Sequence, residues 1–178
     1  EILLSDVGYM QGMSGNGLTT EKGNENSWID ISVMAVPANF FSFMNILMEQ
    51  GRLPQTEKDI VVDNVWQEMQ KKDVIGMILY SGNTDYTICG ISTPFQADVY
   101  NRSSGYAFLP YNSSVYIGHC YIKSHPGQQK EVAQWIEKVC HEMLPENITY
   151  QAKTFLDDIH VSQALEYNLK DIILFFAV

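Results

Sequence analysis

Basic residues are scarce in this chain. Lys and Arg number 11 against 21 Asp and Glu, and the formal charge is −10. Affinity for nucleic acid comes from neutralised phosphates, so the deficit argues against such a partner. It argues equally against docking on anionic lipid through a basic face. Cysteine is also sparse. Cys89, Cys120 and Cys140 stand far apart with no C-x-x-C, which disfavours a zinc ribbon or a redox pair. An odd number leaves at least one thiol free, and each suits a small buried hydrophobe. Glu1-Ile2-Leu3-Leu4 lacks the basic start and long apolar run of a signal peptide. No stretch supplies the roughly 20 apolar residues of a membrane-spanning helix.

Catalytic signatures are missing as well. His119, His125, His141 and His160 form no pair with each other at the spacing that stacks ligands on one helix face. No G-x-S-x-G occurs, so Asp157, Asp158 and His160 read as the start of a helix, with acids suited to its dipole, rather than as parts of a triad. Gly12-Met13-Ser14-Gly15-Asn16-Gly17 has neither the Lys-Ser/Thr pair nor the strand-to-helix setting of a phosphate loop, and reads as a flexible loop. No catalytic, cofactor-binding or metal-ligating residue is expected.

What the chain does have is apolar patterning. Its 178 residues, 46% hydrophobic, suffice for one domain or two small lobes. The segment Trp28 to Arg52 organises the rest. Ile29, Ile31, Val33 and Ala35 alternate with Asp30, Ser32 and Met34, which predicts a strand with one buried face. Pro37 suits a first helical turn. Phe40, Phe43, Met44 and Leu47 then share one helix side, and Gly51 is placed to end that helix.

Residues 1–10 hold a short strand, and Gln11 to Asn26 a long polar loop. Ile60 to Val62 is a buried strand. Asp63 caps a helix over Asn64 to Lys71, with Val65, Trp66 and Met69 on one side. Met77 to Tyr80 and Tyr86 to Ile91 form a hairpin about Gly82-Asn83. Gly90 inside that second strand predicts a bend or a close backbone approach. Thr93 to Gly105 is a loop carrying Arg102. Tyr106 to Leu109 and Val115 to Lys123 are strands. Gln128 to Leu144 is the clearest helix, with Val132, Ile136, Val139 and Met143 in register and Pro145 as its stop. Ile148 to Ala152 is a strand, and Thr154 caps a final helix that turns wholly apolar by Ile172 to Val178. Phe95, Tyr100, Tyr106, Phe108, Tyr111, Tyr116 and Tyr121 concentrate aromatics in one stretch, read mainly as core and alternatively as a binding surface. Sequons stand at Asn101, Asn112 and Asn147.

Taken together these signals resemble the MacB-like periplasmic core domain of ABC transporter permeases of the MacB/FtsX/LolC type. The resemblance rests on order and spacing. It runs through Val36-Pro37-Ala38-Asn39-Phe40-Phe41, Glu49-Gln50-Gly51-Arg52-Leu53, Asp59-Ile60-Val61-Val62-Asp63-Asn64, Asp73-Val74-Ile75-Gly76-Met77-Ile78 and Tyr86-Thr87-Ile88-Cys89-Gly90-Ile91. Tyr121-Ile122-Lys123, Pro126-Gly127, Leu144-Pro145 and Phe155-Leu156-Asp157-Asp158 continue it. Val36, Val74 and Met77 depart from it, standing where a Ser or Thr cap, Pro and Lys are usual.

The resemblance implies an α+β fold of two lobes. Residues 1–53 plus 104–178 would form a membrane-proximal porter-like lobe, and residues 54–103 an inserted sabre-like one. It implies no active site and no cofactor. It implies a relay of movement between membrane helices at the periplasmic face of the bacterial inner membrane. The partners would be a cytoplasmic ATP-binding subunit or domain, a periplasmic adaptor or cargo, and a second permease copy. The abrupt, apolar ends fit a piece of a longer chain that continues into membrane spans. The alternative is a stand-alone small-ligand sensor or hydrolase with a pocket in the aromatic stretch.

Overall fold

The computed structural model describes residues 2–5, 17–95, 105–110, 119–145 and 147–157. The glycine-rich loop up to Asn16, Tyr100, Arg102, Tyr111 and Tyr116 lie outside them. So do the sequons at Asn101 and Asn112, Asp158, His160 and the run Ile172 to Val178. The chain forms two compact units, Glu1–Lys123 and Ser124–Val178.

The first unit holds a pair of strands and a larger sheet. Ile2–Ser5 (β1) pairs antiparallel with His119–Ile122 (β8). The six-stranded sheet uses Ser32–Val36 (β2), Met48–Gly51 (β3), Asp59–Asp63 (β4), Ile78–Ser81 (β5), Thr84–Ser92 (β6) and Tyr106–Pro110 (β7). Its order is β2-β7-β4-β6-β3, and β5 shares the β3 side of β6. β2 runs parallel to β7 and β4 parallel to β6, while the β4–β7, β3–β6 and β5–β6 ladders are antiparallel. Among the described residues the unit also holds two short α-helices, Phe40–Met44 (α1) and Asn64–Gln70 (α2). The class is α+β, as the sequence implies. Strands from residues 54–103 and strands from both flanking segments hydrogen-bond within this one sheet.

Two separate cores explain the burial along β2. Met34 and Val36 join Leu3, Phe40, Phe41, Phe43, Val61, Cys89, Tyr106 and Phe108. Ile31 and Val33 join Leu18, Ile60, Val62, Trp66, Val74, Leu79, Ile88 and Ile91. Alternate side chains of a strand point to opposite faces, so both faces of this sheet are covered. The expectation of a strand with one buried face is corrected accordingly.

The helix after Pro37 is also shorter than its apolar spacing predicts. Asn45, at φ 57, takes the left-handed conformation that closes α1 after Met44, and its N–H reaches back to Phe41 and Ser42 carbonyls. Met48 to Gly51 is then a strand, and Gly51, at φ 72, ends β3 rather than a helix. The ladder to β6 supplies backbone partners that an isolated helical turn would lack. Downstream, Asp63 caps α2 through its side chain and Trp66 N–H, as read from the sequence. Trp66 is 1% exposed, whereas Met69 on the expected inner side is 49% exposed.

Gly90 sits where the backbone comes close. It faces Gly51 in the β3–β6 ladder, and a Cβ there would lie 2.5 Å from the Arg52 carbonyl oxygen. Neither partner backbone can withdraw without losing the bond from Arg52 N–H to the Cys89 carbonyl, 3.0 Å. Gly90→Ala is expected to cost about 1–3 kcal/mol, the usual range for forced overpacking. Urea unfolding checks this, and a loss under about 0.5 kcal/mol, typical of a neutral surface change, would refute the close approach.

In the second unit Gln129–Met143 (α3) fits its predicted span closely. Glu131 in its first turn and His141 in its last suit the helix dipole. No strand forms at 148–152. Ile148 is 45% exposed and its N–H turns back to the Pro145 carbonyl, so no ladder is there to hold an extended segment. Thr154 and Asp157 cap each other: Asp157 N–H donates to Thr154 Oγ1 at 3.1 Å, and Thr154 N–H to Asp157 Oδ2 at 3.3 Å.

Candidate functional site

The first place where distant segments are tied together is the β1–β8 pair. Its register sets Ile2 opposite Ile122 and Leu3 opposite Tyr121. Leu3 is 0% exposed among the aromatic residues of α1, and Tyr121 packs half-buried against the same cluster. Polar ties fix both strands to α1. Asn39 Nδ2 donates to the Ile2 carbonyl at 2.9 Å. Lys123 Nζ donates to the Phe43 carbonyl at 3.1 Å and lies 5.7 Å from the centre of the Phe43 ring. The strand entering the unit and the strand leaving it are thus fastened to one helix, which packs on the sheet.

The second tie closes the connection from β3 to β4. Arg52 grips Asp59 with both guanidinium branches, at 2.7 Å and 3.0 Å. The N–H groups of Gln55 and Thr56 add bonds of 2.9 Å and 3.0 Å to the same carboxylate. Asp59 is buried, and the Arg52 bonds hold its carboxyl well below the usual range despite that burial. Cys89 lies alongside, donating to the Arg52 carbonyl, and burial pushes its thiol up. The Gly51-Arg52 and Asp59 elements of the sequence resemblance therefore meet in space as one clamp.

The other sequence candidates that fall among the described residues lie on separate elements. His119 is on β8, stacked over Tyr121 with centroids 6.3 Å apart. His125 lies in the segment between β8 and α3, and His141 on α3. Cys89 on β6 is buried, Cys120 on β8 exposed and Cys140 on α3 half-buried. Phe95, Tyr106 and Phe108 belong to the aromatic core with Phe40 and Phe41, with ring centroids 5.4–6.2 Å apart. Among the described residues no group of His, Cys, Asp or Glu has a metal-binding arrangement, and no helix is long and apolar enough to cross a membrane. The sequence did not reveal the β1–β8 clasp. Its only local signal is a pair of short apolar runs far apart in the chain.

No protein-family model matches the chain, and no curated protein matches it. Solved structures do. A domain from Porphyromonas gingivalis, described as part of a permease protein, has a TM-score of 0.56 at 12% identity over 82% of this chain and 64% of that one. The extracellular domain of the noncanonic ABC-type transporter YknZ from Gram-positive bacteria gives 0.53 at 12% identity over 85% of this chain and 78% of that one. The periplasmic region of MacB from Actinobacillus actinomycetemcomitans gives 0.50 at 13% identity over 84% and 76%. This chain thus spans less than two thirds of the P. gingivalis domain. At these identities the likeness is one of fold, and the fold is that of MacB-like periplasmic domains.

Proposed function

We propose that the chain is a non-catalytic extracytoplasmic module of an ABC transporter permease, one that relays movement between membrane helices. It would stand at the periplasmic face of the inner membrane, with ATP hydrolysed by a cytoplasmic subunit or domain. A second permease copy, and a periplasmic adaptor or cargo, are its further partners. In that reading residues 1–53 and 104–178 form the membrane-proximal lobe. Residues 54–103 form the inserted one, joined to it through the ladders that β4 and β6 make with β7 and β3. The observation that carries the relay is the clasp. β1 and β8 hydrogen-bond to each other and are tied to the same helix, so a pull on either moves the sheet as one body.

The test uses the full-length permease in lipid nanodiscs. Leu3→Ala, Asn39→Ala and Lys123→Ala together loosen the clasp, and ATP turnover is expected to change several-fold, the size of ordinary coupling between sites. Opposed residues of antiparallel strands lie within disulfide reach. Adding Ile2→Cys and Ile122→Cys with Cys120→Ser, then oxidising, should restore the parental rate. Unchanged turnover in the folded loosened variant would overturn the relay.

A further inference from the structure

One buried acid has no part in that relay. Asp63 ends β4 and is 0% exposed. Its Oδ1 accepts the Trp66 N–H at 3.1 Å, while Oδ2 is buried with no hydrogen-bond partner. The N–H groups of Phe95, just past β6, and Tyr106, the first residue of β7, also face the carboxylate. Gly105 closes the remaining side. A Cβ on it would lie 2.7 Å from Asp63 Oδ1 and 2.6 Å from the Trp66 nitrogen, and its φ of 101 is one that side chains rarely adopt. Gly105 in turn accepts the N–H that opens β2, from Ser32, at 2.9 Å. Three elements and the start of a fourth therefore converge on one carboxyl group.

Among the described residues no charge is arranged to balance it. Ser92, opposite it on β6, is neutral and donates to the Thr93 carbonyl. Trp66 on α2 and Gly105 carry no charge, and Tyr106 meets the carboxylate through its backbone N–H. The nearby Glu49 carboxylate is taken up by Asn64 Nδ2 at 3.0 Å and 3.1 Å. Arg52 is committed to Asp59 at the far end of β4. An ionised carboxyl group can only accept, and an unmatched buried charge is costly.

We propose that Asp63 is a proton-operated anchor, binding a solvent proton on Oδ2 in the folded protein and thereby resetting how α2, β6 and β7 are joined. Burial pushes this carboxyl upward, against the opposing pull of the Trp66, Tyr106 and Phe95 N–H groups. The sign follows. The folded state holds the proton more tightly than the unfolded one, so the stability linked to Asp63 is present at low pH and is lost as pH rises through the folded value. The inference stands on the geometry of this site and does not depend on the transporter reading.

The test pairs wild type with Asp63→Asn, which cannot ionise. Across the window in which Asp63 loses its proton, the ratio of their unfolding constants is expected to move by up to about tenfold per pH unit. In wild type, the amide shifts of Trp66, Phe95 and Tyr106 should move with the midpoint of the Asp63 carboxyl carbon, observed by NMR. That titration needs only the wild-type protein, so it decides the matter even if the variant fails to fold. A carboxyl midpoint at or below the ordinary value of about 3.9, or amides that do not follow it, would overturn the anchor.

Discussion

Phe108→Ala should remove about 3–5 kcal/mol of stability, the range for truncating a fully buried aromatic residue. Phe108 is 0% exposed and stands on β7 between Met34 of β2 and Val61 of β4. Its ring lies 5.4 Å from Phe41, 5.5 Å from Phe40 and 5.9 Å from Phe95, centre to centre. Cavities close only partly, and here the lining comes from a helix, a loop and three strands that cannot all move inward. Total stability of small domains is near 5–15 kcal/mol, so a loss of this size removes a large share of it and abolishes the fold only at the low end of that range. Urea unfolding followed by circular dichroism measures it, and a loss below about 1 kcal/mol would mean the aromatic cluster is not the core.

Asp59→Ala should follow closely, at about 2–3 kcal/mol, because hydrogen bonds to a charged group contribute about 1.5–3 kcal/mol. The variant strands the N–H groups of Gln55 and Thr56 and the guanidinium of Arg52 at once. The wild type carries a pH signature of the same contact. Asp59 is held below its ordinary value, so its contribution is complete above the normal carboxylate range of about 4 and fades as pH falls beneath it. Acidification should therefore lower the variant's stability less steeply than the wild type's, and the gap between the two should narrow as pH falls. A parallel acid profile in the two proteins would contradict the clamp. Asp63 works in the opposite sense, so the two acids at either end of β4 separate cleanly in such profiles.

Local signals survived folding where the local partner was also the real one. Asp63 caps α2 because the N–H it serves is three residues away. Gly90 was legible as a close approach because strands seldom carry glycine without one. β3 was not legible. Its apolar residues continue the spacing of α1, and only a distant strand, β6, and the left-handed turn at Asn45 make it extended. The strand expected at 148–152 failed for the converse reason, since β pattern without a partner gives no ladder. The second covered face of the sheet went unseen because Leu18 and Val74, which help cover it, come from segments that look like loops. The order of motifs carried more than any single one. Gly51-Arg52 and Asp59 belong together because they form one ion pair in space. The clasp, by contrast, joins residues near opposite ends of its unit, and no window of sequence contains it.

The proposed extracytoplasmic, membrane-tethered placement of the domain can be probed at Cys120, which is exposed on β8. Intact cells producing the full-length protein with Cys140→Ser would be treated with a membrane-impermeant maleimide, with Cys120→Ser as control. Labelling of Cys120 before lysis, in the membrane fraction, is the predicted result. Labelling only after lysis, or recovery of the protein free of the membrane, would contradict it.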